Sequence, residues 1–329
     1  MWFEDIFPAM GRLKSTFARL AGCDADELAI TANTSIAIST IASALEFGER
    51  NKVVMSDLDF PTDGHVWLAH AKRGVEIEWL RSPDGLTIPL DEYDRVIDDR
   101  TAVVMMNRVL YRSSATVDAK EICRIARERG ALSFVDDYHG VGIIPLDLHD
   151  LGCDAYTAGV LKWLCGGPGL AFLYVRRDLI PTLEPTVTGW FATTDPFSFD
   201  TEHLTYHPTA RRFEHGTPPA PVVFIAQGGL DIVSEVTPER IRERQGELTD
   251  RLIARADELG LPVRKPRDRS ARGGVVNVGV GPEAGKLCHA LLERDVCTDF
   301  RGDGLRISPH FFNTEDDIDR CFDELRSML

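Results

Sequence analysis

Short apolar runs alternate with amphipathic segments along the first half of the chain. Strands are predicted at six runs: 53–55, 75–80, 102–106, 131–135, 154–158 and 170–175. The run at 102–106 has no polar interruption, which is typical of a buried parallel strand. Helices are predicted between these strands: 36–45, 63–72 and 118–130. Repeated strand–helix–strand units predict an α/β fold with a mostly parallel sheet.

The alternation of strands and helices stops between residues 195 and 221. This segment is rich in Pro, Thr, His and aromatic residues, and its length predicts a functional loop rather than a passive linker. Helices and strands then resume: 222–234, 238–259, 274–280, 285–293, 305–308 and 315–325. For a chain of 329 residues we therefore expect two domains, a large one at 1–232 and a smaller C-terminal α+β domain at 233–329.

The composition is that of a globular protein with an acidic charge balance. Hydrophobic residues make up 43% of the chain, and 52 acidic against 37 basic residues give a net charge of −15. Such a charge disfavours nucleic acid as a partner. No apolar run has the length of a membrane span, the N-terminus is unlike a signal peptide, and the seven cysteines lack CxxC spacing. We therefore expect a cytoplasmic protein with reduced thiols, no membrane partner and no metal site.

One lysine stands in an apolar, glycine-rich stretch. Lys162 lies within 159–169, where burial would lower the pKa of its amine and leave it neutral, as Schiff-base chemistry requires. A lysine that merely extends its charge into solvent beside a structural loop is the alternative. Asp136, at the carboxyl end of a hydrophobic strand, favours the chemical interpretation, since a carboxylate there can pair with a pyridinium nitrogen.

Hydroxyl side chains come directly before the helix predicted at 36–45. Thr34 and Ser35 could bind a phosphate group at the N-terminus of that helix. An ordinary helix N-cap explains the same residues.

These residues, together with further segments, resemble the class V aminotransferase superfamily of fold type I pyridoxal-phosphate enzymes, which includes kynureninases and cysteine desulfurases. The resemblance extends from Trp2 to Leu325. Seven segments carry it in family order: 33–35, 59–63, 135–139, 162–169, 189–191 with 196–199, 212–219, and 305–310 with 312–314. The family implies pyridoxal 5′-phosphate as the cofactor and an amino acid as the substrate.

The resemblance assigns catalytic roles to three residues. Lys162 would form the Schiff base and carry the α-proton. Asp136 would pair with the pyridine nitrogen, although the adjacent Asp137 is a competing acid. His139 would approach the 3′-oxygen of the ring.

It also assigns cofactor contacts. Thr34 and Ser35 would hold the phosphate, and Phe60 would stack on the ring, with a core aromatic as the alternative. Thr217 and Trp190 would reach the phosphate bound by a neighbouring subunit. The resemblance therefore implies a homodimer with a composite active site.

Arg306 would bind the α-carboxylate of the substrate, since its planar guanidinium suits a carboxylate, and a surface ion pair is the alternative. Three departures from the family pattern affect the expected site. Leu161 stands where many members have His, Tyr or Ser, so one cofactor contact is missing. The chain begins inside a segment that relatives extend, so we expect a site that is more open or partly rebuilt from a partner. Cys297 lies in a strand-like run and is expected in the core, which disfavours desulfurase activity.

The stretch 296–304 resembles the kynureninase version of the family. This favours a lyase or hydrolase that cleaves a β-substituent or a Cβ–Cγ bond. A class V aminotransferase is the alternative, because both reactions begin with loss of the α-proton. A degenerate member with a binding or regulatory role is a further alternative, compatible with Leu161.

Overall fold

A seven-stranded sheet with strand order β1-β7-β6-β5-β4-β2-β3 organises the computed structural model, which describes residues 1–329. Its strands are β1 Leu28–Thr31, β2 Lys52–Ser56, β3 Glu76–Leu80, β4 Thr101–Asn107, β5 Leu132–Asp136, β6 Ala155–Gly159 and β7 Ala171–Val175. Strands β3, β2, β4, β5 and β6 are parallel, whereas β7 runs antiparallel to both β6 and β1. The predicted mostly parallel sheet is confirmed.

Helices cover both faces of this sheet. They are α1 Phe7–Ala21, α2 Thr34–Ala44, α3 Pro61–Ala69, α4 Leu90–Val96, α5 Ala119–Glu128, α6 Leu148–Leu151 and α7 Ala220–Val236. Successive residues of a strand point to opposite faces, so Val103 and Met105 join α2 and α3 in one core cluster. Val104 and Met106 join α1, α5 and α7 in the other. The sheet is therefore buried on both sides, as expected for a largely parallel arrangement.

The C-terminal part of the chain has its own sheet and core. It comprises α8 Pro238–Glu258, β8 Val276–Gly279, α9 Ala284–Leu292, β9 Asp299–Arg301, β10 Gly304–Ile307 and α10 Glu315–Arg326. The three strands are antiparallel in the order β8-β10-β9, and they pack with these helices in a separate cluster. The predicted division at 232/233 falls within α7 and stays a prediction. No single helix is long and apolar enough to cross a membrane; only α7 and α8 together, bent by 82°, meet that test.

Three neighbouring parallel strands end in residues that can carry a site. Asn107, Asp136 and Gly159 are the last residues of β4, β5 and β6. Because the strands are parallel, their carboxyl ends meet at one edge of the sheet, and Asn107 is paired in register with Asp136. Ligands of open α/β sheets bind beyond this edge.

Candidate active site

A cavity of about 250 Å³ lies at the carboxyl edge of the central sheet. Its lining combines hydroxyl groups, an acid, an imidazole, an amine and aromatic rings: Thr34, Ser35, Phe60, Thr62, Asn107, Val109, Asp136, Tyr138, His139 and Lys162. Six of the nine site residues predicted from the sequence therefore meet in one place.

Asp136 provides the acid of this cavity. Its side chain is 4% exposed, and one carboxylate oxygen accepts a hydrogen bond from the Tyr138 N–H at 2.8 Å. Burial raises the pKa of Asp136 to about 7, and the charge of Asp137 adds to that rise. The positive charge of Lys162 opposes both effects. A cationic ring nitrogen beside this carboxylate would stabilise its ionised form.

Asp137, the competing acid, is held outside the cavity. Its carboxylate lies 2.7 Å from Arg108 Nη2 and accepts a hydrogen bond from the Tyr156 hydroxyl at 3.0 Å. Asp137 and Tyr156 are fully buried, and neither they nor Arg108 line the cavity. Only one acid of the pair therefore faces the space in which a ligand can bind.

The Lys162 amine lies 2.6 Å from His139 Nε2 and 4.5 Å from the centre of the Tyr138 ring. Burial and then the charge of Arg306 lower the pKa of Lys162 to about 8. Burial and the Lys162 charge hold the pKa of His139 well below its usual value, so its imidazole is neutral. A neutral ring nitrogen can accept a hydrogen bond from the amine.

The apolar turn around Lys162 is more open than the sequence predicts. Leu161 has 46% of its surface accessible to solvent, and Lys162 is exposed as a residue although its amine lies against His139 and Tyr138 in the cavity. A backbone hydrogen bond nevertheless holds the turn, because the Gly166 N–H donates to the Val160 carbonyl at 2.8 Å. Helix α7 packs directly beneath it: a Cβ atom on Gly229 would lie 2.2 Å from the Leu164 carbonyl oxygen. The amine is therefore positioned by backbone contacts, while part of the turn remains open to solvent.

Hydroxyl groups line the cavity at the start of two helices. The N-cap of α2 is Asn33, whose side chain accepts from the Ile36 N–H at 2.9 Å. Capping therefore does not occupy Thr34 or Ser35, which both line the cavity. Ser35 Oγ lies 3.2 Å from Thr62 Oγ1 in the first turn of α3. Hydroxyls and a helix N-terminus together suit a phosphate group.

Phe60 is not the core aromatic that the sequence left as an alternative. It is 39% exposed and lines the cavity. Its ring meets Tyr111 edge to face, with ring centres 5.2 Å apart, and its centre lies 5.9 Å from the Lys162 nitrogen. The ring is therefore available to pack against a planar ligand.

Three buried polar residues without a predicted role hold the Phe60 side of the cavity in place: Asp59, Asp63 and Asn107. Asn107 accepts from the Phe60 N–H at 2.8 Å and donates to Asp63 at 2.6 Å, while Asp59 accepts from the Asn107 N–H at 3.0 Å. Burial and the nearby charge of Asp136 raise the pKa of Asp63 well above its usual value, which favours its neutral acid form. Asn107 could have been found as the polar residue that ends a predicted apolar strand.

Tyr138 is a further cavity residue without a predicted role. Its ring packs against Gly159, where a Cβ atom would lie 2.3 Å from the ring carbons. Burial and the charge of Asp136 raise the pKa of the Tyr138 hydroxyl, so it stays protonated near neutral pH. The only indication of Tyr138 in the sequence is its position within 135–139, one of the segments that carry the family resemblance.

Arg306 and the two residues expected to act across a subunit boundary lie outside the cavity lining. Arg306 is on β10, only 8% exposed, and Nη1 lies 3.3 Å from the Asp299 carboxylate. The guanidinium is therefore buried, whereas its partner Asp299 is half exposed. Trp190 packs against Phe191 with ring centres 4.4 Å apart, and Thr217 is exposed. Within one chain, neither of the last two residues reaches the cavity.

The expectation for Cys297 is wrong. The residue is exposed and precedes β9 in a segment without regular structure. The strand-like pattern of 296–300 fails because only 299–301 pair in the sheet. Burial in the core therefore gives no argument about desulfurase activity.

Comparison with known proteins identifies the family. Residues 4–321 match the aminotransferase class-V family. The chain is 34% identical over 316 residues to the uncharacterized aminotransferase YcbU of Bacillus subtilis, covering 95% of this chain and 82% of the relative. It is 30% identical to isopenicillin N epimerase of Streptomyces clavuligerus, covering 96% and 83%. It is 32% identical to a kynureninase of Deinococcus radiodurans, covering 91% and 72%.

Solved structures show the same fold at low sequence identity. The cysteine desulfurase of Thermococcus onnurineus superposes with a TM-score of 0.89 at 20% identity, covering 98% of this chain and 84% of that protein. The cystine C-S lyase C-DES gives a TM-score of 0.89 at 19% identity, covering 97% and 86%.

The lining of the cavity fits pyridoxal 5′-phosphate. An amine, a buried acid, exposed aromatic surface and hydroxyls at a helix N-terminus match the aldehyde, ring nitrogen, ring face and phosphate of that cofactor. With this donor set in place and the family match spanning nearly the whole sequence, the chain belongs to the class V aminotransferase family of pyridoxal-phosphate-dependent enzymes.

Proposed function

We propose that this enzyme removes a group from the β-carbon of an amino acid, by cleaving a β-substituent or a Cβ–Cγ bond. The main support for this proposal is the Lys162 amine, whose pKa is lowered to about 8. It lies 2.6 Å from the neutral His139 imidazole, in a cavity that Asp136 also lines. This arrangement supplies a base that can exchange a proton with a bound substrate near neutral pH.

The residues that would hold the cofactor line one cavity. Asp136 would face the ring nitrogen, Phe60 would pack on the ring, and the hydroxyls of Thr34, Ser35 and Thr62 would hold the phosphate. When bound, pyridoxal phosphate supplies an electron sink that stabilises negative charge on the α-carbon of an amino acid.

The proton chemistry falls to the side chains around Lys162. In its neutral form, Nζ of Lys162 accepts the α-proton, and the adjacent neutral His139 orients the amine by accepting a hydrogen bond. The Tyr138 hydroxyl retains its proton at neutral pH and can donate it to a departing group. Arg306 would bind the α-carboxylate, exchanging its contact with Asp299 for one with the substrate.

Loss of the β-group is favoured by the likeness of 296–304 to kynureninases and by relatives named kynureninase at 28–32% identity. Transamination is a second candidate, supported by the 34% identical relative named as an aminotransferase. A non-catalytic role is disfavoured because Lys162, Asp136 and His139 all line the same cavity.

We also propose a homodimer that covers the open side of the Lys162 turn. Phe224, Ile225 and Ile232 form an exposed apolar face on α7. This face borders the turn, since a Cβ atom on Gly167 would lie 3.1 Å from Ile225 Cγ2. A partner packed on this face would lie close to Lys162, in agreement with a composite site to which Trp190 and Thr217 of the other chain contribute.

The proposed reaction is tested by product analysis with purified holoenzyme. A panel of β-substituted amino acids, including β-chloro-L-alanine, L-cysteine and L-kynurenine, is scored by product mass with and without a 2-oxo acid. Release of a β-fragment without any 2-oxo acid is expected. Amino-group exchange that requires the 2-oxo acid, with no β-fragment, would instead identify an aminotransferase. The Lys162→Ala variant is the inactive control.

A further inference from the structure

A second cavity, of about 320 Å³, is lined by three arginines. Arg112 comes from the loop that follows β4, Arg264 from the segment before β8, and Arg301 from the end of β9. Asp303 and the buried Asn277 also line it. The large sheet and the small sheet thus each contribute positive charge to the same space.

Tyr111 lies between this arginine cavity and the cofactor cavity. Arg112 Nε donates to the Tyr111 hydroxyl at 2.7 Å, and the guanidinium lies 5.3 Å from the centre of the Tyr111 ring. The Tyr111 ring also contacts Phe60, which lines the cofactor cavity. Only one aromatic residue therefore separates Arg112 from the ring wall of the active site.

The β9–β10 hairpin provides a second connection. Asp299 contacts Arg301 at 2.7 Å and Arg306 at 3.3 Å, so one acid links the arginine cavity to the proposed α-carboxylate site. The positive charges of Arg306 and Arg301 both lower the pKa of Lys162. Arg301 is therefore close enough to influence the reacting amine.

The charges in the arginine cavity are not balanced. Arg264 is paired with Asp303, and Arg301 shares Asp299 with Arg306. Arg112 has no carboxylate partner in the structure; its guanidinium donates a hydrogen bond only to the Tyr111 hydroxyl. Arg112 is exposed, and its positive charge without a carboxylate partner lies close to the active site of a chain with a net charge of −15. It favours an anionic group of the ligand.

We propose that the side chain of the substrate ends in a carboxylate, which Arg112 binds with support from Arg301. The inference rests on the proposed function, in which the α-carboxylate of the same amino acid binds Arg306. A guanidinium binds a carboxylate through two parallel hydrogen bonds, which fixes both position and orientation. Acidic amino acids are accordingly the preferred substrates, because neutral and aromatic ones lack the distal carboxylate that Arg112 binds.

The test measures ligand binding to the holoenzyme with matched acid and amide pairs. Changes in the visible absorption of the bound cofactor are titrated with L-glutamate against L-glutamine, L-aspartate against L-asparagine, and L-alanine. A second readout needs no reaction at the cofactor: calorimetry compares glutarate with butyrate, which lacks the distal carboxylate. Three proteins are used: the wild type, Arg112→Gln, and Arg267→Gln as a surface arginine paired with Asp257.

In the wild type we expect at least one acid to bind about tenfold or more tightly than its amide, as charged hydrogen bonds allow, and glutarate to bind better than butyrate. Arg112→Gln is expected to abolish both preferences while changing the L-alanine affinity less than about twofold, which also shows that the variant is folded. Arg267→Gln should behave as the wild type.

Equal binding of acids and amides by the wild type, or preferences that persist in Arg112→Gln, would overturn this inference alone. If no amino acid, including L-alanine, perturbs the cofactor absorption of a loaded enzyme, the proposed function fails and this inference fails with it.

Discussion

Arg108 Nη2 lies 2.7 Å from the Oδ2 atom of Asp137, and this ion pair is buried directly behind the carboxylate that faces the cofactor cavity. The pair decides which of two neighbouring acids is available to a ligand. Asp137 is held by Arg108 and Tyr156, so Asp136 alone lines the cavity.

Arg108→Met is therefore expected to lower the free energy of unfolding by about 3–5 kcal/mol, because it leaves a buried carboxylate without its partner. Chemical denaturation of the apoprotein measures the change. The double variant Arg108→Met/Asp137→Asn should recover most of the loss, since it removes the uncompensated charge as well. A single variant as stable as the wild type would show that the ion pair contributes nothing.

Lys162→Ala is expected to abolish covalent attachment of the cofactor. Borohydride reduction of the wild-type holoenzyme should fix the cofactor to one peptide, which contains Lys162, and peptide mass spectrometry identifies it. Lys120→Ala is the matched control, because Lys120 is exposed, forms an ion pair with Asp150 and lies outside the cavity lining. Labelling that survives in Lys162→Ala would place the reactive amine elsewhere.

The reactivity of the Lys162 amine should rise with pH around its lowered pKa of about 8. With that pKa, about a tenth of the amine is neutral at pH 7 and about nine tenths at pH 9. The rate at which the apoprotein takes up pyridoxal phosphate, followed by absorption, should therefore increase across this range with a midpoint near 8.

Arg306→Gln is expected to move that midpoint to higher pH. The positive charge of Arg306 disfavours the Lys162 ammonium, so its removal stabilises the protonated amine. Arg95→Gln, which alters an exposed arginine paired with Glu92, should leave the midpoint unchanged. A midpoint that moves to lower pH in Arg306→Gln would contradict the electrostatic assignment.

Two substitutions of aspartate by asparagine should differ in their effect on cofactor affinity. Asp136→Asn removes a charge that would face the ring nitrogen, and we expect the affinity for pyridoxal phosphate to fall about 10- to 100-fold. Asp63→Asn should change it little, because the raised pKa of Asp63 favours its neutral form and an amide oxygen can still accept from Asn107. Equilibrium titration of the apoproteins distinguishes the two, and equal losses would show that Asp63 is ionised.

Ile225→Glu is expected to weaken self-association, because it places a charge in the apolar face of α7. Light scattering after size exclusion, over a range of protein concentrations, measures the effect. Leu292→Glu is the control, since Leu292 is equally exposed but lies on α9 in the C-terminal part of the chain. If the wild type is monomeric at all concentrations, the proposed dimer is wrong.

Hydrophobic periodicity was sufficient to predict six of the seven strands of the central sheet and most helices. The strand predicted at 131–135 is observed at Leu132–Asp136, and the helix predicted at 238–259 is observed at Pro238–Glu258. These elements are strongly patterned because one or both of their faces are buried. The antiparallel orientation of β7 could not be predicted, since a short apolar run has the same pattern in either direction.

The chemistry of the site was predictable where a residue type has few other uses. A lysine in a glycine-rich turn and an acid at a strand end were such cases. The network of Asp59, Asp63 and Asn107 was not, because buried polar residues are recognised by their partners and these lie up to 48 positions apart. The openness of the Lys162 turn also depends on tertiary packing, which composition does not report.

Helix α7 touches the Lys162 turn at Gly229 with no side chain between the two backbones. No flexible side chain can therefore compensate for a displacement of α7. A movement of the helix would shift the turn and, with it, the reactive amine. Even one additional methyl group at position 229 would push the turn outward. The exposed apolar face of the same helix borders this turn at Ile225, so a partner packed on that face could shift the reactive amine without any change in the cavity lining.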